Sequence, residues 1–190
     1  MPYNPNIHHR RNIRLKEYDY SQNGLYFVTI CCKDKICRFG QIEDGEMILN
    51  EHGKIAFDEW LKLMKRFSNF ESDVFQIMPN HIHGIIILNE PHVGATLAVA
   101  QNTVNKNDNK RTTARVVPTI GAISDIIGAY KSLVMTECLK IYKSQNEIMG
   151  KFWQRNYYEH IIRNEKSFEN IAKYIIDNPK MWTKDKLYIE

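Results

Sequence analysis

The chain has 190 residues and a mass of 22.4 kDa, which is enough for one domain with a sizeable core. Its hydrophobic fraction of 43% and charged fraction of 25% are ordinary for a soluble globular protein, and the net charge of +4 favours a polyanionic partner only weakly. No stretch reaches the roughly 18 to 20 apolar residues that a membrane span needs, and the N-terminus lacks a signal-peptide core. The four cysteines form no CxxC zinc pattern. We therefore predict a cytoplasmic protein with reduced thiols and no membrane contact.

Residues 1–16 form a basic N-terminal arm. The arm has no acidic residue, and its four cationic side chains are Arg10, Arg11, Arg14 and Lys16. A segment of this kind can bind a phosphate backbone. A solvated terminus without a ligand is an equally good interpretation of the charge alone.

The residue pattern in the first half of the chain predicts several strands and one helix. The segment "GLYFVTICC" (24–32) is rich in β-branched and aromatic residues, which is typical of a core strand. Asp44 and Gly45 lie between two short apolar segments and indicate a hairpin turn. Apolar residues at helical spacing predict a helix within 51–67, and a strand is predicted over 70–78.

The second half contains an interruption and then regular patterns again. Small and polar residues over 92–118 predict a long flexible insertion rather than a second domain. Helical spacing returns over 120–142, and 152–163 is predicted to contain a strand. The closing helix begins near 164 and is ended by Pro179.

The predicted order is strand, hairpin, helix, two strands, helix, strand and helix. This order favours an α+β fold over 1–190 as a single domain. The expected architecture is a ferredoxin-like (RRM-like) antiparallel sheet with helices packed on one face.

Two histidines stand at the head of the apolar run 81–88, directly after a turn at Pro79 and Asn80. Alternate residues of a strand project to the same face, so His81 and His83 are neighbours that can grip one metal ion. Two ligands need a third group to complete a site. A hydrogen-bonded structural role is the common alternative for such histidines.

The closing helix offers a candidate third group. Tyr174 and Asn178 lie one turn apart on the flank of an apolar stripe. The stripe consists of Phe168, Ile171, Ala172, Ile175 and Ile176. Tyr174 supplies a hydroxyl nucleophile, and Asn178 supplies an amide oxygen that a hard cation accepts. Because a tyrosine has a pKa of about 10, attack on a phosphodiester needs a cation to polarise the phosphate.

Each of these residues has a competing interpretation. Tyr157 and Tyr158 are rival tyrosines in a predicted strand, and Tyr174 is preferred for its amide partner at i+4. Asn178 precedes a proline at a helix end, so a C-terminal cap is its structural alternative. His160 could also face the site, although a structural role is the simpler assignment.

The sequence resembles a known family in several blocks taken in order. "MPNHIHGIIIL" is similar to the histidine-hydrophobic-histidine (HUH) motif of the single-tyrosine transposases, and in particular of the REP-associated tyrosine transposases. "YDYSQNGLYFVTICC", "GAYKSL", "FWQRNYYEHIIRNE" and "YIIDNP" also resemble that family. The HUH motif alone is a weak signal, but the ordered set covers most of the chain.

The resemblance implies the fold, the chemistry and the partners. It implies the motif on a central strand and a divalent ion, Mg²⁺ or Mn²⁺, held by His81, His83 and Asn178. It implies that Tyr174 attacks single-stranded DNA at the foot of a hairpin, keeps a 5′-phosphotyrosyl link and releases a 3′-OH that can be rejoined. Recognition of a guide sequence beside the hairpin would fall to the basic residues of 1–16. The segment 92–118 departs from the family pattern.

Two other function classes remain open from the sequence. A histidine-triad nucleotide hydrolase needs a third alternating histidine, but position 85 is Ile85. A domesticated protein that binds hairpin nucleic acid without cutting it would keep the same motifs. Either a monomer or a homodimer is compatible with the sequence, since the tyrosine helix of some relatives serves a partner subunit.

Overall fold

The computed structural model describes residues 22–90 and 119–189. Its main sheet has four strands: β1 (Gly24–Cys31), β4 (Phe70–Ile77), β5 (His81–Leu88) and β6 (Tyr158–Ile162). A separate hairpin consists of β2 (Gly40–Glu43) and β3 (Glu46–Leu49). The helices are α1 (Glu51–Arg66), α2 (Ile123–Ser144) and α3 (Glu165–Asp177), and a 3-10 helix follows over Pro179–Lys184. The basic arm 1–16 and the whole of 92–118 lie outside the described residues.

The topology of the main sheet is ferredoxin-like. The strands lie in the order β4-β5-β1-β6, and each neighbouring pair is antiparallel. In chain order these strands alternate with α1 and α2 as βαββαβ, and α3 is an addition at the end. The predicted fold class is thereby confirmed, including the hairpin whose turn contains Asp44 and Gly45.

One face of the sheet carries the main core. Trp60 of α1 and Tyr130 of α2 are buried and meet edge to face, with ring centroids 5.2 Å apart. The strands supply alternate residues such as Val28 and Ile82 to the same cluster. Tyr130 donates its hydroxyl hydrogen bond to the carbonyl of Ala56 at 2.8 Å, which ties α2 to α1.

The other face of the sheet is covered in part by α3. A smaller cluster joins Ile85 of β5 to Ile175 of α3, with Phe168, Ile171 and Ala172 packed against it. The predicted arrangement with helices on one face therefore holds for α1 and α2 only. Ile176 is 60% exposed, so its assignment to the buried stripe was wrong. The helix contacts mainly β4 and β5.

The end of α3 turns the chain back toward β5. Asn164 caps the start of α3 by accepting a hydrogen bond from the Ser167 amide, and Asn178 stands at its end before Pro179. The 3-10 helix that follows places the ring of Trp182 5.9 Å from that of His81. Within the described ranges, no helix is long and apolar enough to cross a membrane.

Candidate active site

The two histidines lie on the central strand β5, on the face that α3 partly covers. His81 is fully buried and His83 is 2% exposed. Their Nε2 atoms are 3.0 Å apart, so both imidazoles direct the same nitrogen at one point. The two Nε2 atoms can share a hydrogen bond, or both can bind one cation together with neighbouring groups.

The amide of Asn80 fixes the tautomer of His81. Its Nδ2 donates to the carbonyls of Lys35 at 3.1 Å and Leu187 at 2.8 Å. The Oδ1 of Asn80 therefore faces His81 and can only accept, so the Nδ1 of His81 donates to it at 2.8 Å. A neutral imidazole with hydrogen on Nδ1 has a bare lone pair on Nε2. The sequence pattern did not single out this role of Asn80.

His83 has a hydroxyl as its outer partner. Thr29 lies opposite His83 in the pairing of β1 with β5, and its Oγ1 is 2.9 Å from the Nδ1 of His83. The ring of Phe27, two residues earlier on the same face of β1, stacks on the His83 ring at 5.3 Å. These contacts hold the imidazole and leave its Nε2 directed at the site.

Tyr174 reaches the histidines from α3. Its hydroxyl oxygen is 3.3 Å from the Nε2 of His83 and donates to Oδ2 of Asp185 at 3.2 Å. The residue is 46% exposed, so a substrate can approach its hydroxyl from solvent. Burial of the phenol and the nearby charge of Asp185 raise the pKa of Tyr174 to about 12, so the phenol is protonated at neutral pH.

Asp185 is a site residue that the sequence analysis missed. It follows the 3-10 helix, and its Oδ1 accepts a hydrogen bond from the amide of Leu187. Its Oδ2 accepts from the Nδ2 of Asn178 at 2.9 Å. A lone aspartate among lysines carries no motif, and only the turn after Pro179 brings it to the histidines.

Burial and charge set the protonation of the cluster. Burial lowers the pKa of His81 to about 4, against a smaller raising effect of Asp185. Burial, and then the neighbouring His81, lower the pKa of His83 to about 3. For Asp185, burial acts to raise the pKa, but the hydrogen bonds from Leu187 and Asn178 outweigh it and the pKa is lowered. The site at neutral pH therefore has two neutral imidazoles and one carboxylate.

These groups suit a divalent cation. One ligand atom each from His81, His83 and Asp185 lie within 4.8 Å of one another. Asn178 is 2% exposed, and its buried Oδ1 has no hydrogen-bond partner among the described residues. The two converging imidazole nitrogens, a carboxylate and an unpaired amide oxygen form a donor set for a divalent metal ion.

The remaining predicted residues lie outside the histidine cluster or outside the described residues. Arg10, Arg11, Arg14 and Lys16 lie outside the described residues. Among the rival tyrosines, Tyr157 packs against the main core, whereas Tyr158 is exposed on β6. His160 is exposed on the same strand, in a groove beside the site.

Comparison with known proteins gives two relatives from Haemophilus influenzae and a structural likeness. A relative of unassigned function is 42% identical over 188 residues, which cover 99% of this chain and 98% of that one. A second protein, provisionally named a REP-associated tyrosine transposase, is 26% identical over 162 residues and is covered to 73% of its length. No protein-family model matches the chain.

The structural likeness is to a REP-associated tyrosine transposase solved in complex with a REP hairpin. The TM-score is 0.54 at 19% identity, and the match covers 90% of this chain and 77% of that one. At that identity the likeness concerns the fold. The sequence relation, the shared fold and the ordered motifs agree with one another. The chain is therefore similar in sequence and in fold to REP-associated tyrosine transposases, as its ordered motifs predict.

Proposed function

We propose that the protein nicks and rejoins single-stranded DNA at hairpins through a covalent link to Tyr174. The observation that carries the proposal is the position of the Tyr174 hydroxyl, 3.3 Å from the Nε2 of His83 and open to solvent. A nucleophile beside a cluster of groups that could hold a metal ion supports metal-assisted phosphodiester cleavage.

The cleavage step follows from the contacts of Tyr174. Its oxygen attacks the phosphorus, the bond from phosphorus to the 3′-oxygen breaks, and a 5′-phosphotyrosyl link forms. The phenol proton leaves through Asp185, whose Oδ2 already accepts the hydrogen bond at 3.2 Å, to solvent water, and water returns a proton to the departing 3′-oxygen, which becomes a free 3′-OH. Attack of a 3′-OH on the phosphotyrosine reverses the step and joins two strands.

We propose that His81, His83, Asn178 and Asp185 hold Mg²⁺ or Mn²⁺. The support is the convergence of the two Nε2 atoms, the carboxylate of Asp185 and the unpaired Oδ1 of Asn178. A bound divalent ion would polarise the scissile phosphate and stabilise the charge that develops on it. The protein residues orient the tyrosine and keep the imidazoles neutral.

The proposed substrate is hairpin DNA with a single-stranded flank. The structural neighbour is described as bound to a REP hairpin, and the basic arm with Arg10, Arg11, Arg14 and Lys16 is suited to a phosphate backbone. One chain supplies both His83 and Tyr174, and this contact supports a site that is completed within a monomer.

A cleavage assay tests the proposal. Hairpins from the flanks of the gene, labelled at the 3′ end, are incubated with the protein and Mn²⁺ or Mg²⁺, and adducts are separated in denaturing gels. The wild type should give a labelled adduct, and Tyr174→Phe should give none while binding the hairpin as before. Tyr142→Phe is the matched control, because the Tyr142 hydroxyl instead accepts a hydrogen bond from Arg38 on another part of the molecule.

The same assay separates cleavage from binding alone. A wild-type protein that binds the hairpin but forms neither adduct nor free 3′-OH under either metal would show the domesticated binding function. An adduct that persists in Tyr174→Phe would show that another residue is the nucleophile.

A further inference from the structure

An open groove adjoins Tyr174 on the same face of the sheet. Its volume is about 480 Å³, and its lining includes Phe27, Tyr158, His160, Lys166, Asn170 and Ile171. On this face α3 lies over β4 and β5, while β6 is the edge strand. Within the described parts of the chain, the groove between α3 and β6 is therefore not covered by another element.

An exposed aromatic ring stands in this groove. Tyr158 is 45% exposed, so much of its ring is open to solvent. It pairs with Thr29 across β1 and β6, so it projects to the same face as the histidines. Its ring meets Phe27 edge to face at 6.2 Å, which leaves a face of Tyr158 free for a further planar group.

The ring of Phe27 lies between the groove and the nucleophile Tyr174. The Phe27 ring lies 5.3 Å from the His83 ring and 6.2 Å from the rings of both Tyr158 and Tyr174. Asn170 also lines the groove, one helical turn before Tyr174 on α3. A nucleotide whose phosphate is at Tyr174 thus has its base within reach of the groove.

The chemistry of the lining suits a nucleobase of single-stranded DNA. Aromatic rings offer stacking, the Asn170 amide offers a donor and an acceptor for a base edge, and Ile171 offers an apolar floor. Lys166 adds a positive charge for the backbone. An open sheet face with exposed aromatic residues is a common platform for single-stranded nucleic acid.

We infer that this groove binds the base of a nucleotide joined to the scissile phosphate, with Tyr158 as the stacking residue. The inference rests on the proposed function and adds to it a subsite for the single-stranded flank. Stacking tolerates any base, so the site anchors the strand while Asn170 supplies a preference at one position.

The test compares two hairpins and four proteins. One hairpin keeps its single-stranded flank, and the other is trimmed to the stem. Affinities are measured by fluorescence anisotropy in the Tyr174→Phe background without metal, so that no cleavage intervenes. Tyr158→Phe retains the ring, Tyr158→Leu removes it but keeps an apolar side chain, and Phe57→Leu removes a 42% exposed aromatic outside the groove.

If the groove binds the flank, the hairpin with a single-stranded flank should bind about tenfold more tightly than the trimmed hairpin. This difference is expected in the Tyr174→Phe parent and in its Tyr158→Phe variant. Tyr158→Leu should lose that advantage and still bind the trimmed hairpin like the parent, and Phe57→Leu should behave as the parent. A 2-aminopurine at the nucleotides on either side of the cleavage point should be quenched in the parent and in Tyr158→Phe but not in Tyr158→Leu.

The outcomes distinguish the groove from the cleavage proposal. Equal affinities and equal quenching in Tyr158→Phe and Tyr158→Leu, in a protein that cuts the hairpin, overturn the groove alone. Flank binding through Tyr158 in a protein that forms no adduct overturns the cleavage proposal alone. A wild type that binds neither hairpin overturns both.

Discussion

The amide of Asn80 controls which nitrogen of His81 is free for a cation. Because Lys35 and Leu187 carbonyls hold its Nδ2, its Oδ1 must accept from the Nδ1 of His81. Outer partners of this kind orient metal-ligand histidines and raise their affinity for the ion. In the proposed metal site Asn80 therefore acts on His81 and not on the DNA.

Asn80→Ala is expected to weaken Mn²⁺ binding about 10- to 100-fold, because His81 loses the acceptor that fixes its tautomer. Isothermal titration calorimetry measures the change. Asn69→Ala is the matched control, since Asn69 is also buried and also bonds backbone groups, those of Gly121, away from the site. Equal affinity in Asn80→Ala and Asn69→Ala would contradict the role of the Asn80 amide.

Asp185 and Asn178 can be separated as ligands by two substitutions. Asp185→Asn removes a formal charge and should weaken Mn²⁺ binding about tenfold or more, which is about 1.4 kcal/mol or more. Asn178→Leu removes the unpaired Oδ1 and should weaken binding to a smaller extent, because that oxygen is uncharged. The residue whose variant titrates like the wild type is not a ligand.

At the level of elements, the glycine inside β5 sets the distance between the sheet and α1. A Cβ at Gly84 would stand 2.8 Å from Cζ2 of Trp60. The Trp60 ring cannot shift easily, because it stacks on Phe75 at 4.4 Å and its Nε1 donates to Ser72 at 2.8 Å. Because glycine has no Cβ, β5, which carries the histidines, can pack closely against Trp60 of α1.

Gly84→Ala is expected to lower the free energy of unfolding by about 1–3 kcal/mol, the usual cost of overpacking a core. Gly128→Ala is the control, since a Cβ on that residue of α2 meets no atom within 4 Å and should stabilise the helix by up to about 1 kcal/mol. Urea denaturation followed by circular dichroism measures both. A Gly84→Ala protein as stable as the wild type would mean that Trp60 is free to move.

The sequence pattern predicted the elements well where periodicity carries information. The alternation of β5 identified the shared face of His81 and His83, and the helical stripe of α3 put Tyr174 and Asn178 on one flank. Periodicity could not identify Ile176 as exposed, because the width of the buried stripe depends on which strands α3 covers. Nor could it find Asp185, since its approach to the histidines depends on the turn geometry after Pro179.

At the level of the whole molecule, the site joins distant parts of the chain. It consists of β5, the facing residues of β1, the end of α3 and the segment after the 3-10 helix. A ligand that binds all of them stabilises the folded state, because the unfolded chain cannot hold them together. The proposed metal site therefore predicts that metal binding and folding stability are coupled.

Mn²⁺ at about one hundred times its dissociation constant should add about 2.7 kcal/mol to the free energy of unfolding. For a chain of this length the melting temperature should rise by roughly 5–10 °C. Differential scanning calorimetry with Mn²⁺, and again after EDTA, checks the shift. His83→Gln should show no rise, and a rise of the same size in that variant would place the metal elsewhere.

Mass spectrometry can identify the residue that becomes covalently linked to DNA. Wild-type protein is incubated with flanked hairpin DNA and Mn²⁺, digested with nuclease and protease, and analysed by tandem mass spectrometry. We expect one phosphotyrosyl peptide, with the modification on Tyr174 and a nucleotide attached through its 5′-phosphate. Modification of Tyr158 or another residue, or a 3′-phosphate linkage, would contradict it.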